Sequence, residues 1–165
     1  NSLNSSLTGE SGLITVNVGS ADHFSIVSSQ DSIEVGTERT LQVKLYDVYN
    51  NVISGSTVSF TRIHGNGTFT GGVTTIDDNT DASGLAEALY TASDAISYVN
   101  DSVTVVTGTV SDTIVMPLKT GQISYYSFNP STAQNVTAGT GVAYTVTARD
   151  QYGNAVGNSG TLNLT

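Results

Sequence analysis

The stretch LQVKLYDVYNNVISG, residues 41–55, decides the fold. Leu41, Val43 and Leu45 alternate with Gln42, Lys44 and Tyr46, the two-residue period of a strand with one buried and one wet face. The alternation stops at Asp47, where a carboxylate can accept backbone N–H groups and fix a reversal. Asn50 then supplies a residue that tolerates positive φ. The same spelling returns as YTVTARDQYGNAVGNSG, residues 144–160. A displacement of 103 positions carries Asp47, Tyr49 and Asn51 onto Asp150, Tyr152 and Asn154. Gly153 stands at the position matching Asn50. This Asp-x-Tyr-x-Asn turn is a structural element that needs no ligand.

Working outward, the repeat extends over the chain with single-residue slips. At 103, Gly36-Thr37 meets Gly139-Thr140 and Val43 meets Val146. At 102, Gly19 meets Gly121, Phe24 meets Tyr126 and Ile26 meets Phe128. At 104, Val58 and Phe60 meet Leu162 and Leu164. A period near a hundred residues is the size of one β-sandwich domain. Within one period, short alternating runs at Phe24–Ile26, Leu41–Leu45, Val58–Phe60, Val73–Ile76, Leu85–Tyr90, Val103–Thr107 and Thr113–Leu118 are separated by Gly-, Asn- and Asp-rich turns. That pattern predicts about seven strands per unit and no long helix, the signature of an immunoglobulin-like sandwich. The expected core of the first unit is Phe24, Ile26, Leu41, Val43, Leu45, Val58 and Phe60. The expected organisation is a preceding strand or linker over 1–18, a complete immunoglobulin-like domain over 19–119, and the N-terminal half of another over 120–165. On this reading the chain is a slice through a tandem array.

Composition agrees. Charged residues are 12% of the chain, while 21 Ser, 24 Thr, 13 Asn and 17 Gly favour strands and turns. A net charge of −9 repels phosphate backbones and anionic lipid heads, so no nucleic-acid partner is expected. The absence of Cys excludes thiolate metal sites and redox motifs. No apolar run approaches the roughly 20 residues of a membrane helix, so no membrane insertion is expected in this segment.

Val136–Val156, with YTVTARDQYGNAV at its end, resembles the start of a bacterial Ig-like domain of group 1 (Big-1), the repeat of invasin- and intimin-type adhesins. Val35–Phe60 is a second copy, and TDASGLAEALYTAS, residues 80–93, is similar to that family's middle turn and following strand. The resemblance implies an extracellular or cell-surface sandwich, strung into stalks that hold a functional tip away from the cell. It implies neighbouring repeats as partners and no catalytic residues in the repeat itself. The adhesion partner is not readable.

Other chemistry is thin. Asp77, Asn79, Asp81 and Ser83 alternate ahead of Gly84 like the opening of a calcium loop. The sixth position is Ala82 rather than Gly and the twelfth is Ala88 rather than Glu, so a polar hairpin turn is the favoured reading and calcium the alternative. His23, which precedes a strand, and His64, in a Gly-rich turn, are the only histidines and are read as surface residues. Lys44 falls on the wet face, which argues against a Lys–Asn crosslink. No cofactor and no enzymatic activity are expected. The expected function is a structural repeat of a surface or secreted protein. The rival is a filament or surface-layer subunit completed by strands of another chain.

Overall fold

A computed structural model describes residues 17–157 and the backbone of a final strand, Gly160–Leu164. The expectation for residues 1–18 therefore falls almost wholly outside the described residues.

The first unit contributes nine strands: Ala21–Ile26 (β1), Ile33–Glu34 (β2), Glu38–Asp47 (β3), Thr57–His64 (β4), Thr68–Phe69 (β5), Thr75–Asn79 (β6), Leu85–Thr91 (β7), Asn100–Thr107 (β8) and Val110–Lys119 (β9). They form a four-stranded sheet in the order β1-β3-β7-β5 and a five-stranded sheet in the order β2-β9-β8-β4-β6. Among the described residues only β2, beside β9, pairs in parallel. The chain crosses between sheets after β1, so one N-terminal segment edges both layers. A single 3-10 turn, Ile96–Tyr98, is the one helical element among the described residues.

Alternation decides what is buried. Leu41, Val43 and Leu45 of β3 have no exposed surface, while Gln42, Lys44 and Tyr46 between them are partly exposed. Val58 and Phe60 on β4, with Val103 and Val105 on β8, face them from the other sheet, and one continuous core results. Phe24 joins it, whereas Ile26 is only partly buried at its margin. Phe69 sits at the centre, with Tyr90 at a ring separation of 5.1 Å and Phe60 at 6.5 Å, both edge-on. Each such pair adds about 0.5–1.5 kcal/mol beyond area burial. The chain is all-β, and this part is an immunoglobulin-like sandwich.

Two strands exceed the expected seven. Both β2 and β5 are two residues long, too short to show a period. The strand expected at Val73–Ile76 lies at Thr75–Asn79, with Val73 bridging back to Phe69.

The second unit is a three-stranded sheet, Tyr125–Asn129 (β10), Val142–Arg149 (β11) and Gly160–Leu164 (β12). Its pairing repeats the first. Phe24 opposes Leu45 and Ile26 opposes Val43; Tyr126 opposes Ala148 and Phe128 opposes Val146. The bridge Tyr46–Val52 recurs as Arg149–Ala155. One sequence match is not kept. Leu162 and Leu164 align with Val58 and Phe60, yet β4 pairs with β6 and β8, whereas β12 pairs with β11. There β12 lies along the edge that β7 takes beside β3: Val146 opposes Gly160 as Val43 opposes Ala86.

Candidate functional site

Asp47 ends β3 and is fully buried. Its Oδ1 accepts the backbone N–H groups of Tyr49 (2.9 Å) and Asn51 (2.8 Å). Its Oδ2 accepts Asn51 Nδ2 (3.0 Å) and the backbone N–H of Gly19 (2.9 Å). The turn closes with Asp47 N–H donating to Asn51 O and Asn50 N–H to Asp47 O, both 3.0 Å, with Asn50 at φ 62°. Four donors around one carboxylate favour its charged form. The Asn51 side chain is the strongest of them; desolvation opposes it, and the backbone donors add to it. Together they hold the Asp47 carboxyl down at about 2.

Asp150 repeats the arrangement at the end of β11 and is also fully buried. Oδ1 accepts from the N–H groups of Tyr152 (3.0 Å) and Asn154 (2.9 Å), and Oδ2 from Asn154 Nδ2 (3.0 Å) and Gly121 N–H (3.2 Å). Burial raises the Asp150 pKa, but the Asn154 side chain and the backbone donors outweigh it, leaving it below the ordinary value. Each carboxylate thus ties a strand end to the glycine that enters its own unit.

The joint between the units is short because of this. Lys119, at the end of β9, accepts the Val35 N–H (3.0 Å) while its neighbour strand β2 places Glu34 opposite it. Gly121 is already held by Asp150, so Thr120 alone lies between two anchored residues. A Cβ on Gly121 would lie 3.2 Å from Glu34 Oε1, so Glu34 of the first unit borders the joint.

The second turn also reaches across the joint. Asn154 Oδ1 accepts the Ile96 N–H (3.0 Å), and Asn154 Nδ2 donates to Asp94 O (2.7 Å). Beside it, the Tyr152 ring lies over Gly36. A Cβ on Gly36 would collide with the Tyr152 hydroxyl and ring carbons, and the φ of Gly36 is +67°. Glycine there makes the notch. The receiving loop is stiffened from beneath by Ser93 and Asp101, both buried. Asp101 accepts Ser93 Oγ–H on Oδ1 and Ser93 N–H (2.7 Å) on Oδ2. Ser93 Oγ in turn accepts the N–H groups of Asn66 (2.6 Å) and Gly67 (3.0 Å). Tyr90 abuts this cluster; burial first, then the Asp101 charge, pushes its pKa above the ordinary value.

The other expected residues fall elsewhere. Tyr49 is 80% exposed. Asp77 and Asn79 lie along β6, where Asp77 Oδ1 accepts Ser59 Oγ–H (2.6 Å) and Asn79 Oδ1 accepts Thr57 Oγ1–H (2.8 Å). Asp81 begins the following turn, its Oδ1 taken by Ser83 N–H (2.7 Å), Ser83 Oγ–H (2.8 Å) and Leu85 N–H (3.0 Å). The Leu85 amide, then Ser83, lowers its pKa. The three are hairpin residues strung along a strand and turn. Among the described residues no group of three or more His, Asp or Glu is placed to hold a metal ion. His23 stacks on Tyr46 at 5.5 Å, and His64 Nδ1–H donates to Asn100 O (2.8 Å). Among the described residues no helix is long and apolar enough to cross a membrane.

The sequence reading missed the receiving side, Gly36, Asp94 and Ile96, and its Ser93–Asp101 support. Nothing in ASDAISYVND, residues 92–101, distinguishes a buried Asp from a surface one.

No family model and no curated protein matches the chain. Among solved structures it is similar to domains 4–9 of the surface layer protein SbsC, with 18% identity and a TM-score of 0.46, over 84% of this chain and 21% of that one. Domains 1–6 of the same protein give 18% and 0.45, over 88% and 18%. A beta-glucuronidase of Parabacteroides merdae gives 15% and 0.41, over 64% and 13%. The chain thus spans about a fifth of the SbsC piece that it matches. At these scores none of the three assigns a function.

Proposed function

We propose that this chain is a non-enzymatic structural repeat of a bacterial cell-surface or secreted adhesin-like protein, with residues 19–119 as one domain and 120 onward as the next. Its work is mechanical: it spaces whatever the array carries by keeping successive domains in fixed relation. One observation carries this reading. Asn154 bonds both the Ile96 N–H and the Asp94 carbonyl of the first unit while Asp150 holds Gly121 two residues beyond Lys119. A hinge would leave the joint backbone free of such bonds; here polar groups from both units are spent on it. The resemblance to Big-1 repeats supports the surface location. Small-angle scattering from chains carrying one, two and three in-frame copies of residues 19–120 tests it. A constant increment in maximum dimension per copy is expected; growth as the square root of copy number, the behaviour of flexibly linked bodies, would contradict it.

A second reading is a filament or surface-layer subunit completed by strands of another chain. Tyr126 and Phe128 are 58% and 50% exposed, whereas Phe24, the counterpart of Tyr126, is 8% exposed under its second sheet. Among the described residues no second sheet covers this apolar face. Sedimentation equilibrium distinguishes the readings: concentration-dependent association abolished by Phe128→Ser favours strand exchange, and a persistent monomer removes it.

A further inference from the structure

We propose that the Asp47–Asn51 turn is itself a docking surface, seated on a preceding unit of the same kind. Its partner is a loop that offers a backbone N–H and C=O pair beside a glycine notch. The inference rests on the tandem reading above and specifies the chemistry of the joint.

The two turns are the same object in two states. Asn154 uses one Nδ2 hydrogen on its own Asp150 and the other on Asp94 O, and its Oδ1 takes Ile96 N–H. Asn51 makes the matching bond to Asp47 Oδ2 (3.0 Å), but its Oδ1 and its second Nδ2 hydrogen have no partner among the described residues. Asn51 is accordingly exposed where Asn154 is partly buried. Tyr152 is 44% exposed with its ring over Gly36; Tyr49 projects from the same place and is 80% exposed. A tyrosine that is 80% exposed, beside an amide whose oxygen and second N–H hydrogen are idle, is what an undocked contact looks like. Large aromatic side chains seated in a pocket are the usual anchors of interfaces. The occupant is fixed by the chain's own example. Gly36 and the 94–96 backbone accept this turn's twin with complementary donors and acceptors, and no charged side chain is required of the partner.

The test uses the chain with residues 19–120 duplicated in frame, so that Thr120 of the upstream copy precedes Gly19 of the downstream copy as it natively precedes Gly121. With only the upstream copy labelled with 15N, the exchange of its Ile96 amide is followed by NMR. The same amide in the unduplicated chain is the reference for a joint made with Asn154. The expected result is upstream Ile96 exchange slowed to the level of the reference. Asn51→Ala in the downstream copy is then expected to accelerate it roughly 5- to 150-fold, the range that two net hydrogen bonds supply. Tyr49→Ala is expected to accelerate it in the same direction. Upstream Ile96 exchanging freely while the reference is protected would overturn this inference and leave the tandem reading standing. Free exchange in both would overturn the two together.

Discussion

Replacing Asn154 by Ala removes its Nδ2 contacts to the Asp150 carboxylate within its own turn, and two bonds across the joint, to Ile96 N–H and Asp94 O. Asn51→Ala removes only the equivalent of the first, to Asp47. The difference between the two variants therefore isolates the joint. Two neutral hydrogen bonds contribute about 0.5–1.5 kcal/mol each, so docking weakens by about 1–3 kcal/mol. That corresponds to roughly a 5- to 150-fold rise in the undocked population. Amide exchange reads it directly. Ile96 in Asn154→Ala should exchange faster by a factor in that range. Gly121, whose N–H acceptor Asp150 is retained, should change far less and serves as the internal reference. Asn51→Ala should leave Ile96 untouched. Ile96 exchange within about twofold of the parent in Asn154→Ala, or equal acceleration by both variants, would refute the assignment of those two bonds to docking.

Three further outcomes are expected. The Asp47 carboxyl is depressed to about 2, so its contribution to stability is complete above the ordinary carboxylate range and is lost as pH falls from about 4 through 2. Asp47→Asn should flatten the melting temperature of the first unit over that window; an unchanged slope would contradict the pairing with Asn51, Gly19 and Tyr49. Val43→Asp places a carboxylate where no surface is exposed and no counter-charge is offered, and circular dichroism should show no cooperative melt; a cooperative melt near the parent's would refute the strand phase. Phe60→Ala should cost about 3–5 kcal/mol in denaturant unfolding, since Phe60 is fully buried against Phe69; a loss below about 1 kcal/mol would mean that the core does not close over it.

What sequence could reveal followed from how each feature encodes itself. The β3 strand was legible because Leu41, Val43 and Leu45 must all face one core, and the turn because few residue types can both stop a strand and satisfy its end. The repeat matched Phe24 with Tyr126, and Phe24–Leu45 and Tyr126–Ala148 share one register, but its match of Leu162 and Leu164 with Val58 and Phe60 is not kept in the pairing. Two-residue strands such as β2 and β5 carry no period. Asp101 lies buried in a polar stretch, its side chain satisfied by Ser93 eight positions away, which no local pattern signals. Tyr49 and Tyr152 share one place in the repeat, yet a sequence does not say which body an aromatic ring covers. Only Tyr152 over Gly36 supplies that.

The chain has no cysteine, so paired spin labels can be introduced at exposed Ser111 and Thr145, one in each unit, without removing a native residue of that type. Pulsed dipolar spectroscopy then measures the relation between the units itself. A single narrow distance distribution in the parent chain, broadened by Asn154→Ala combined with Tyr152→Ala, is predicted. A broad distribution in the parent chain, indifferent to those substitutions, would contradict a fixed joint and the spacer role built on it.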